Sequence, residues 1–217
     1  ARKKHTFKWV VTHDVDYLKK WTSIKQLFRS LVGDIYKRRS PSQAFSSIIS
    51  YLTTRLKISN DPFDTFDFLM TISENKGLKS YFFFMSGGQT NYDNKYDINE
   101  AVDLINQIKK RGHYIGIHPS YNAYSDSTIL SSEIKKLEHV SGQKISFGRE
   151  HFLRYEVPLT ASLWEENNLH WDSSLSYADE PGFRCGVCYD FSIFDFIKSK
   201  TLNLKEKPLI LMEATLL

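Results

Sequence analysis

The sequence lacks a long hydrophobic run and contains little cysteine, and both shortages narrow what the protein can be. No apolar stretch approaches the roughly 20 residues that a membrane-spanning helix needs. Its first residues are charged and show no secretory hydrophobic region, which predicts a cytoplasmic location. The two cysteines, Cys185 and Cys188, form a C-x-x-C with no second metal-binding pair, and we interpret them as incidental thiols.

Glycine-rich phosphate-binding motifs are missing as well. The sequence has neither a G-x-G-x-x-G nor a Walker-type loop, which argues against a nucleotide-binding fold. The 217 residues are 41% hydrophobic and 14% aromatic, enough for a sizeable core. We expect one domain over residues 1–217, while its oligomeric state stays open.

Acidic residues are scarce in one segment, residues 19–57. It carries nine Lys or Arg and one acid, Asp34, so its net charge is +8 and the rest of the chain carries −4. Apolar residues at helical spacing, from Trp21 to Ile35 and from Phe45 to Leu56, predict two amphipathic helices inserted after the first strand. Such a basic segment suits an anionic sugar, a phosphate, nucleic acid or a membrane surface, although a solvated helical face is the commoner outcome. We expect no nucleic-acid partner.

Beyond this insertion, strand-like and helix-like segments alternate. Apolar strand patterns at 78–85, 113–117 and 145–148 are separated by helical patterns at 101–108 and 131–140. This alternation predicts parallel βαβ units and the α/β class. An irregular (β/α) barrel is the favoured architecture, and a doubly wound open sheet is the alternative.

The first strand leads into two carboxylates. An apolar run at residues 7–11 predicts a buried strand, and Asp14 and Asp16 follow it. The i, i+2 spacing places both side chains on one face of an extended chain. Two carboxylates so close repel each other unless a cation or a shared proton intervenes. The pair is therefore a candidate site, with solvated acids and Asp16 as a helix cap as the alternative.

Other polar residues also follow predicted strands. Because the carboxyl ends of parallel strands meet at one face of a barrel, these side chains should converge there with the two acids. The residues concerned are His118, Arg149, His151, Asp172 and Glu213.

Two motifs resemble those of the polysaccharide deacetylases, the NodB-homology group or carbohydrate esterase family 4. They are Thr12-His13-Asp14-Val15-Asp16 and Arg111-Gly112-His113-Tyr114-Ile115-Gly116-Ile117-His118. Residues 77–84, Arg149 and Trp171-Asp172-Ser173-Ser174 resemble the family more weakly. The resemblance implies the irregular barrel and a metal-dependent hydrolase that removes an N-acyl group from a sugar.

The resemblance also implies roles for individual residues. Asp14 corresponds to the general base, and Asp16 and His118 correspond to ligands of a divalent metal, zinc foremost, with cobalt or nickel as alternatives. Arg149 with Asp172 corresponds to a pair that orients the base. Such a metal lowers the pKa of bound water, and a neighbouring carboxylate accepts the proton as water attacks an amide.

The sequence departs from the family pattern at two positions. The second histidine ligand is due at position 122, where Asn122 stands, and an amide oxygen is a poor ligand for zinc. His151 is a candidate for the missing imidazole, with a hydrogen-bonding or substrate-contacting role as the alternative, and Asn122 is a further candidate ligand. The late histidine that serves as general acid is also absent, and Glu213 is its only plausible substitute.

Two further residues are candidates for contact with substrate. Tyr121 is placed to stack on a sugar ring, and Arg184 could bind a carboxylate or phosphate, so an anionic N-acylated sugar is the expected partner. One alternative is a glycan-binding protein that has lost hydrolysis. A D-x-D phosphatase is less favoured, because Leu18 replaces its usual Thr or Val and the His118 motif has no place in it.

Overall fold

The computed structural model describes residues 6–88, 90–93 and 96–216. The charged first residues and Leu217, which the sequence predictions include, lie outside this set. The chain forms two compact units: Tyr17–Ile72 is one, and the residues up to Asp16 with those from Ser73 onward are the other. The basic segment 19–57 lies inside the smaller unit, and its place as an insertion in a single domain stays a prediction. Among the described residues, no helix combines the length and apolarity needed to cross a membrane.

A seven-stranded sheet forms the larger unit, with strand order β1-β2-β3-β4-β5-β7-β6. All neighbouring pairs are parallel except β6 and β7. The predicted α/β class with parallel βαβ units is therefore confirmed, and β1 and β6 are the first and last strands of the irregular barrel. The strands are β1 (Val11–Val15), β2 (Ser80–Phe84), β3 (Tyr114–Ile117), β4 (Phe147–Gly148), β5 (Trp171–Asp172), β6 (Phe191–Asp195) and β7 (Lys200–Glu206).

The first strand lies four residues later than the sequence pattern predicts. Phe7 and Trp9 are 80% and 62% exposed, so residues 7–11 are not the buried strand. The reason is register: β1 pairs with β2 from Val11 opposite Ser80, which is where β2 begins. As a result, Asp14 lies within β1 and Asp16 directly after it.

Helices connect the strands. The α5 helix (Ser127–Ser141) shows how their ends are fixed. The Asp126 side chain accepts hydrogen bonds from the backbone N–H groups of Thr128 and Ile129 in the first turn, and Gly142 ends the helix at φ 64°, a value that favours glycine. The helices of this unit are α4 (Val102–Lys110), α5 (Ser127–Ser141) and α6 (Leu159–Glu166), with short 3₁₀ turns at Ile98–Ala101, Ala123–Ser125 and His151–Leu153. The α3 helix (Phe66–Asn75) begins in the smaller unit and ends in the larger one.

Strands β3 and β4 approach each other unusually closely. A Cβ added at Gly148 would lie 1.9 Å from the carbonyl oxygen of Ile117, so only glycine fits there. The backbone N–H of Arg149 donates to the same carbonyl at 3.1 Å. This contact brings the ends of the two strands together, one leading to His118 and the other to Arg149.

The apolar stretch at residues 209–212, which resembles a strand in the sequence, does not form one. Residues 209–212 lie outside the sheet, and Glu213 begins a 3₁₀ turn, Glu213–Thr215, so it does not follow a strand end. Pro208 accounts for this, because proline has no N–H to donate to a strand ladder. The actual last strand is β7, in which Leu202, Leu204 and Glu206 alternate into the interior.

The smaller unit contains a helix pair. The α1 helix (Ile24–Val32) begins at Ser23 and continues into a π-helical segment, Gly33–Lys37. The α2 helix (Pro41–Arg55) begins at Ser40, whose side chain accepts from Gln43 N–H. The two helices that the apolar spacing predicts in this segment are therefore present.

Candidate metal centre and active site

The strands of the larger unit bring the predicted polar residues to one edge of the sheet. Asp16 follows β1, His118 follows β3 and Arg149 follows β4. Asp172 ends β5, opposite Glu206 at the end of β7. All five belong to the same compact unit, so the site is built within one body.

Three side chains converge on one point. His118 Nε2 lies 3.5 Å from Asp16 Oδ1, and His151 Nδ1 lies 3.8 Å from the same oxygen. The two imidazole nitrogens are 3.0 Å apart. A single point can lie about 2.0 Å from all three atoms, which matches zinc–imidazole and zinc–carboxylate bond lengths. Asp16, His118 and His151 therefore form a group that fits a divalent cation.

The outer hydrogen bonds of the two histidines fix their tautomers. His118 Nδ1 lies 2.7 Å from the carbonyl oxygen of Arg149, and His151 Nε2 lies 2.7 Å from that of Tyr92. A carbonyl only accepts, so these nitrogens carry the protons. The lone pairs of His118 Nε2 and His151 Nδ1 then point at each other, an unfavourable arrangement that a bound cation relieves.

The carboxylate of the group is a second observation that fits a divalent cation. Asp16 Oδ1 is buried and has no hydrogen-bond partner among the described residues. A buried carboxylate oxygen without a partner is costly, and coordination to a metal would satisfy it. Burial opposes ionisation of this group, but His118 outweighs burial and lowers the pKa of Asp16. The carboxylate is therefore in the charged form that a ligand requires.

The two histidines have different proton affinities. Burial works to lower the pKa of His118, but the charges of Asp14 and Asp16 outweigh it and raise that pKa. Burial and the neighbouring His118 lower the pKa of His151. His151 is thus the neutral ligand at physiological pH, whereas His118 is the group whose proton competes with a metal.

Asp14 lies beside this group and accepts a hydrogen bond from a buried arginine, Arg149. Arg149 Nη1 donates to Asp14 Oδ1 at 3.0 Å and Nη2 donates to Thr12 Oγ1 at 2.8 Å. Arg149 Nε donates to the carbonyl oxygen of Ser173 at 3.0 Å, and the guanidinium lies 5.3 Å from the Phe83 ring centre. These contacts fix the orientation of Asp14 and leave Oδ2 without a protein partner among the described residues.

Asp172 is held differently from the predicted pairing with Arg149. Its Oδ1 accepts from Ser174 Oγ at 2.6 Å, and the described contacts of Arg149 go to other residues. Burial raises the pKa of Asp172, and burial with repulsion from Asp172 raises the pKa of Glu206. The two buried carboxyl groups therefore share a proton at neutral pH. A catalytic role for Asp172 stays a prediction.

Aromatic rings cluster next to the candidate metal centre. Tyr92 and Tyr121 stack with their ring centres 4.6 Å apart, and the Phe152 ring lies 5.9 Å from each. Phe152 also lies 4.3 Å from the His151 ring. The Tyr121 ring contacts Tyr92 and the Arg154 guanidinium, so the exposed Tyr92 and Phe152 are the members of this aromatic cluster of Tyr92, Tyr121 and Phe152 that a ligand can reach.

Two predicted site residues make contacts that hold loops. Asn122 is exposed, and its Oδ1 accepts from Arg154 Nη1 at 3.2 Å. Arg184 Nη1 donates to the carbonyl oxygen of Ser176 at 2.6 Å. The structure thus places a protein contact on each of them, and their predicted roles, as metal ligand and as substrate contact, stay predictions.

Glu213 lies near β1 on the side of His13. Burial is the largest influence on His13 and lowers its pKa, while the nearby charges of Asp14 and Glu213 act in the opposite direction. His13 stacks on Phe82, with ring centres 4.8 Å apart. Glu213 is therefore in the neighbourhood of the strand that carries Asp14.

Sequence reasoning missed several residues that support the site. The Tyr92 carbonyl, which accepts from His151, gave no signal, whereas Thr12 and Ser173, which accept from Arg149, stand in the quoted motifs without a predicted role. Glu206 was detectable from the alternation of Leu202 and Leu204 ahead of it.

Solved structures with a similar fold were found by comparison, whereas the sequence matches no protein-family model and no curated protein. A candidate polysaccharide deacetylase from Mycobacterium smegmatis aligns with a TM-score of 0.51 and 18% identity. The alignment covers 92% of this chain and 57% of the other, so this chain spans just over half of that length. The chain therefore has the fold of the polysaccharide deacetylases, which confirms the predicted resemblance at the level of fold.

Two further solved structures align with TM-scores below 0.5. Streptococcus pyogenes deacetylase PplD, solved in complex with acetate, aligns over 93% of this chain and 91% of its own at a TM-score of 0.43 and 10% identity. A mutant of BA3943, a CE4 family pseudoenzyme, aligns over 49% of this chain and 38% of its own at a TM-score of 0.40 and 11% identity.

Proposed function

We propose that the protein is a metal-dependent hydrolase that removes an N-acyl group, such as acetyl, from a sugar. The observation that carries the proposal is the convergence of Asp16, His118 and His151 beside a carboxylate, Asp14, that Arg149 orients. Two imidazoles and one carboxylate suit zinc, and also cobalt or nickel, and leave coordination positions open.

The proposed roles of Asp14 and Arg149 follow from the hydrogen bonds that each of them makes. A divalent metal bound here would activate water and polarise the acyl carbonyl. Asp14, held through Oδ1 by Arg149, has Oδ2 available to accept the proton of the attacking water. Arg149 acts as a positioning residue, because its remaining donors are bound to Thr12 and Ser173.

The leaving nitrogen needs a proton, and Glu213 is the proposed donor. It is exposed, and its charge reaches His13, the residue before Asp14 in β1. Replacing Glu213 with Gln should lower kcat while metal content stays unchanged. If the variant retains full activity, the proton comes from another group.

The aromatic cluster of Tyr92, Tyr121 and Phe152 is the proposed contact for the sugar. Sugar rings present flat C–H faces that pack on aromatic side chains, and Tyr92 and Phe152 are exposed beside His151. Arg154 lies 4.1 Å from the Tyr121 ring centre, which adds positive charge at this surface. An anionic N-acylated sugar is accordingly the proposed substrate, with Arg184 as a second contact for its charge.

Metal content and acyl release test the proposal together. Protein purified with zinc should hold about one metal per chain by elemental analysis and release acetate from N-acetylated oligosaccharides. Asp16→Ala and His151→Ala should lose the metal, whereas Asp14→Asn should keep the metal and lose about 10²-fold or more in kcat. His170→Ala, at an exposed histidine, is the matched control and should retain both.

Each other outcome excludes something specific. A metal-free protein that stays inactive with added zinc, cobalt or nickel would overturn the hydrolase. Metal retained in His151→Ala would exclude only that ligand. A protein that binds metal and glycan without releasing acetate would instead support the glycan-binding alternative.

A further inference from the structure

The helix α1 exposes the apolar side of its amphipathic pattern. Ile24, Phe28, Val32 and Ile35 recur every three or four residues and therefore form one stripe. Their exposed fractions are 60%, 61%, 56% and 51%. The sequence pattern alone predicts that such residues face a core, and the structure shows the opposite.

The helix α2 likewise buries small residues and exposes its large apolar side chains. Ala44 and Ser47 are buried, and Ser47 Oγ donates to Asp34 Oδ2 at 2.8 Å. The two helices thus pack through small and polar groups, as helices in an apolar surrounding do. The exposed stripe of α2 consists of Phe45, Ile48, Ile49, Leu52 and Leu56.

Exposed cations accompany these two apolar stripes. The only acid in residues 19–57 is Asp34, which is buried and bound to Arg38 and Ser47. Its negative charge is therefore hidden, while the cations of the helix pair stay in solvent. They are Lys25, Arg29, Lys37, Arg38, Arg39, Arg55 and Lys57.

Apolar stripes next to cations match one kind of partner better than others. Nucleic acid would bind the cations but leave the stripes in water, which does not account for nine exposed apolar side chains. The interface of an anionic bilayer accepts apolar side chains among acyl chains and cations at its phosphates. We propose that the α1–α2 helix pair binds the surface of an anionic lipid bilayer without spanning it.

Vesicle binding tests this proposal independently of the metal site. The full chain is mixed with vesicles of phosphatidylcholine alone, or of phosphatidylcholine with phosphatidylglycerol, and bound protein is measured by sedimentation. Binding to the anionic vesicles should be at least about tenfold tighter and should weaken as salt is raised. Equal binding to both vesicles, or none, would overturn the proposal.

Variants separate the contributions of stripe and charge. Phe28→Ser with Val32→Ser, and Phe45→Ser with Leu52→Ser, should each weaken binding about tenfold or more. Phe194→Ser with Phe196→Ser removes two similarly exposed aromatics from the larger unit and should have no effect. Circular dichroism verifies that each variant is folded.

Charge variants complete the test. Arg29→Glu with Lys37→Glu should abolish the preference for anionic vesicles, whereas Lys76→Glu with Lys135→Glu, at exposed lysines of the larger unit, should preserve it. If the serine variants bind like the unaltered chain, attraction is purely electrostatic and the proposal fails. If the stripes instead mediate self-association that the serine variants abolish, with no vesicle binding, the helix pair is an interface between copies.

Discussion

At the scale of single residues, Arg149 connects more of the site than any predicted ligand does. It is buried and donates to a carboxylate, a hydroxyl and a backbone carbonyl at once. Lysine has no planar fork and cannot satisfy these acceptors together. The predicted function of Asp14 therefore depends on a residue that itself touches no reacting atom.

Replacing Arg149 should separate orientation from binding. In Arg149→Met we expect kcat to fall about 10²-fold with KM nearly unchanged, because Asp14 loses its orientation while the substrate surface stays intact. The loss of a buried charged donor should also cost about 2–4 kcal/mol in unfolding free energy. Steady-state kinetics and denaturant unfolding measure the two effects.

Arg149→Lys is the matched variant, since it retains the charge. It should recover part of the stability and little of kcat. A wild-type kcat in Arg149→Met would show that Asp14 needs no orienting partner.

The buried pair of Asp172 and Glu206 predicts a pH dependence of stability. Because the folded state raises the pKa of Glu206, the folded protein keeps a proton that the unfolded chain releases. The contribution of this pair to stability is therefore complete below the ordinary carboxyl pKa and is lost as pH rises toward about 10, the pKa of Glu206 in the folded protein. Glu206→Gln mimics the protonated form, so its Tm should fall less between acidic and alkaline pH.

Asp190→Asn serves as the control for this comparison, because Asp190 is an exposed acid near the same strands. Its Tm should follow the pH profile of the unaltered protein. An identical profile for Glu206→Gln would show that Glu206 ionises normally in the folded state.

At the scale of elements, the close contact of β3 and β4 positions two different functions. Gly148 lies against the Ile117 carbonyl, one residue before His118 on one strand and one before Arg149 on the other. In Gly148→Ala the strands must separate, so we expect a loss of about 3 kcal/mol or more and much weaker metal binding. Thermal unfolding and metal titration measure both.

The control for this substitution is Gly33→Ala in the smaller unit. Gly33 has helical dihedral angles, with φ −60°, and nothing lies within 4 Å of an added Cβ. Alanine there should stabilise the protein by about 0.5–1 kcal/mol. If both substitutions had the same effect on stability and metal binding, the close contact at Gly148 would not be what positions the two strand ends.

Elements also show how far the sequence could be interpreted. Strong patterns, such as the buried Phe82, Phe83 and Phe84 of β2, were predictable because both faces of a central parallel strand are apolar. The bounds of the strands, and the strands at the rim of the sheet, were not predictable in the same way. Strand β1 is displaced because its bounds depend on the partner strand. Strand β7 was missed although Leu202 and Leu204 alternate with polar residues, which is the pattern of a half-buried strand.

The candidate site was predictable to a similar degree. Asp16 and His118 follow strand ends, and His151 was inferred from an absence at position 122, so their convergence could be anticipated. The contacts of Ser173 and the Tyr92 carbonyl depend on loop conformations that no local pattern specifies. The helix pair of the smaller unit shows the same limit: periodicity identifies an apolar stripe but not whether it faces protein.

At the scale of the whole molecule, the three candidate ligands come from strand ends that are far apart in sequence. Asp16 and His151 are separated by 134 intervening residues, and the strands that precede them meet only in the folded sheet. An unfolded chain therefore has no comparable site. Metal binding should act on the folded state alone and so increase its stability.

This linkage predicts a metal-dependent Tm. At a zinc concentration of about 100 times Kd the folded state gains about 2.7 kcal/mol, or about 5–10 °C in Tm for a chain of this size. The gain should disappear with a chelator and should shrink at acidic pH, where the raised pKa of His118 lets protons compete with the metal. In Asp16→Asn, which keeps the shape of the ligand without its charge, zinc should leave Tm nearly unchanged. An equal zinc-induced rise in that variant would place the bound metal elsewhere in the molecule.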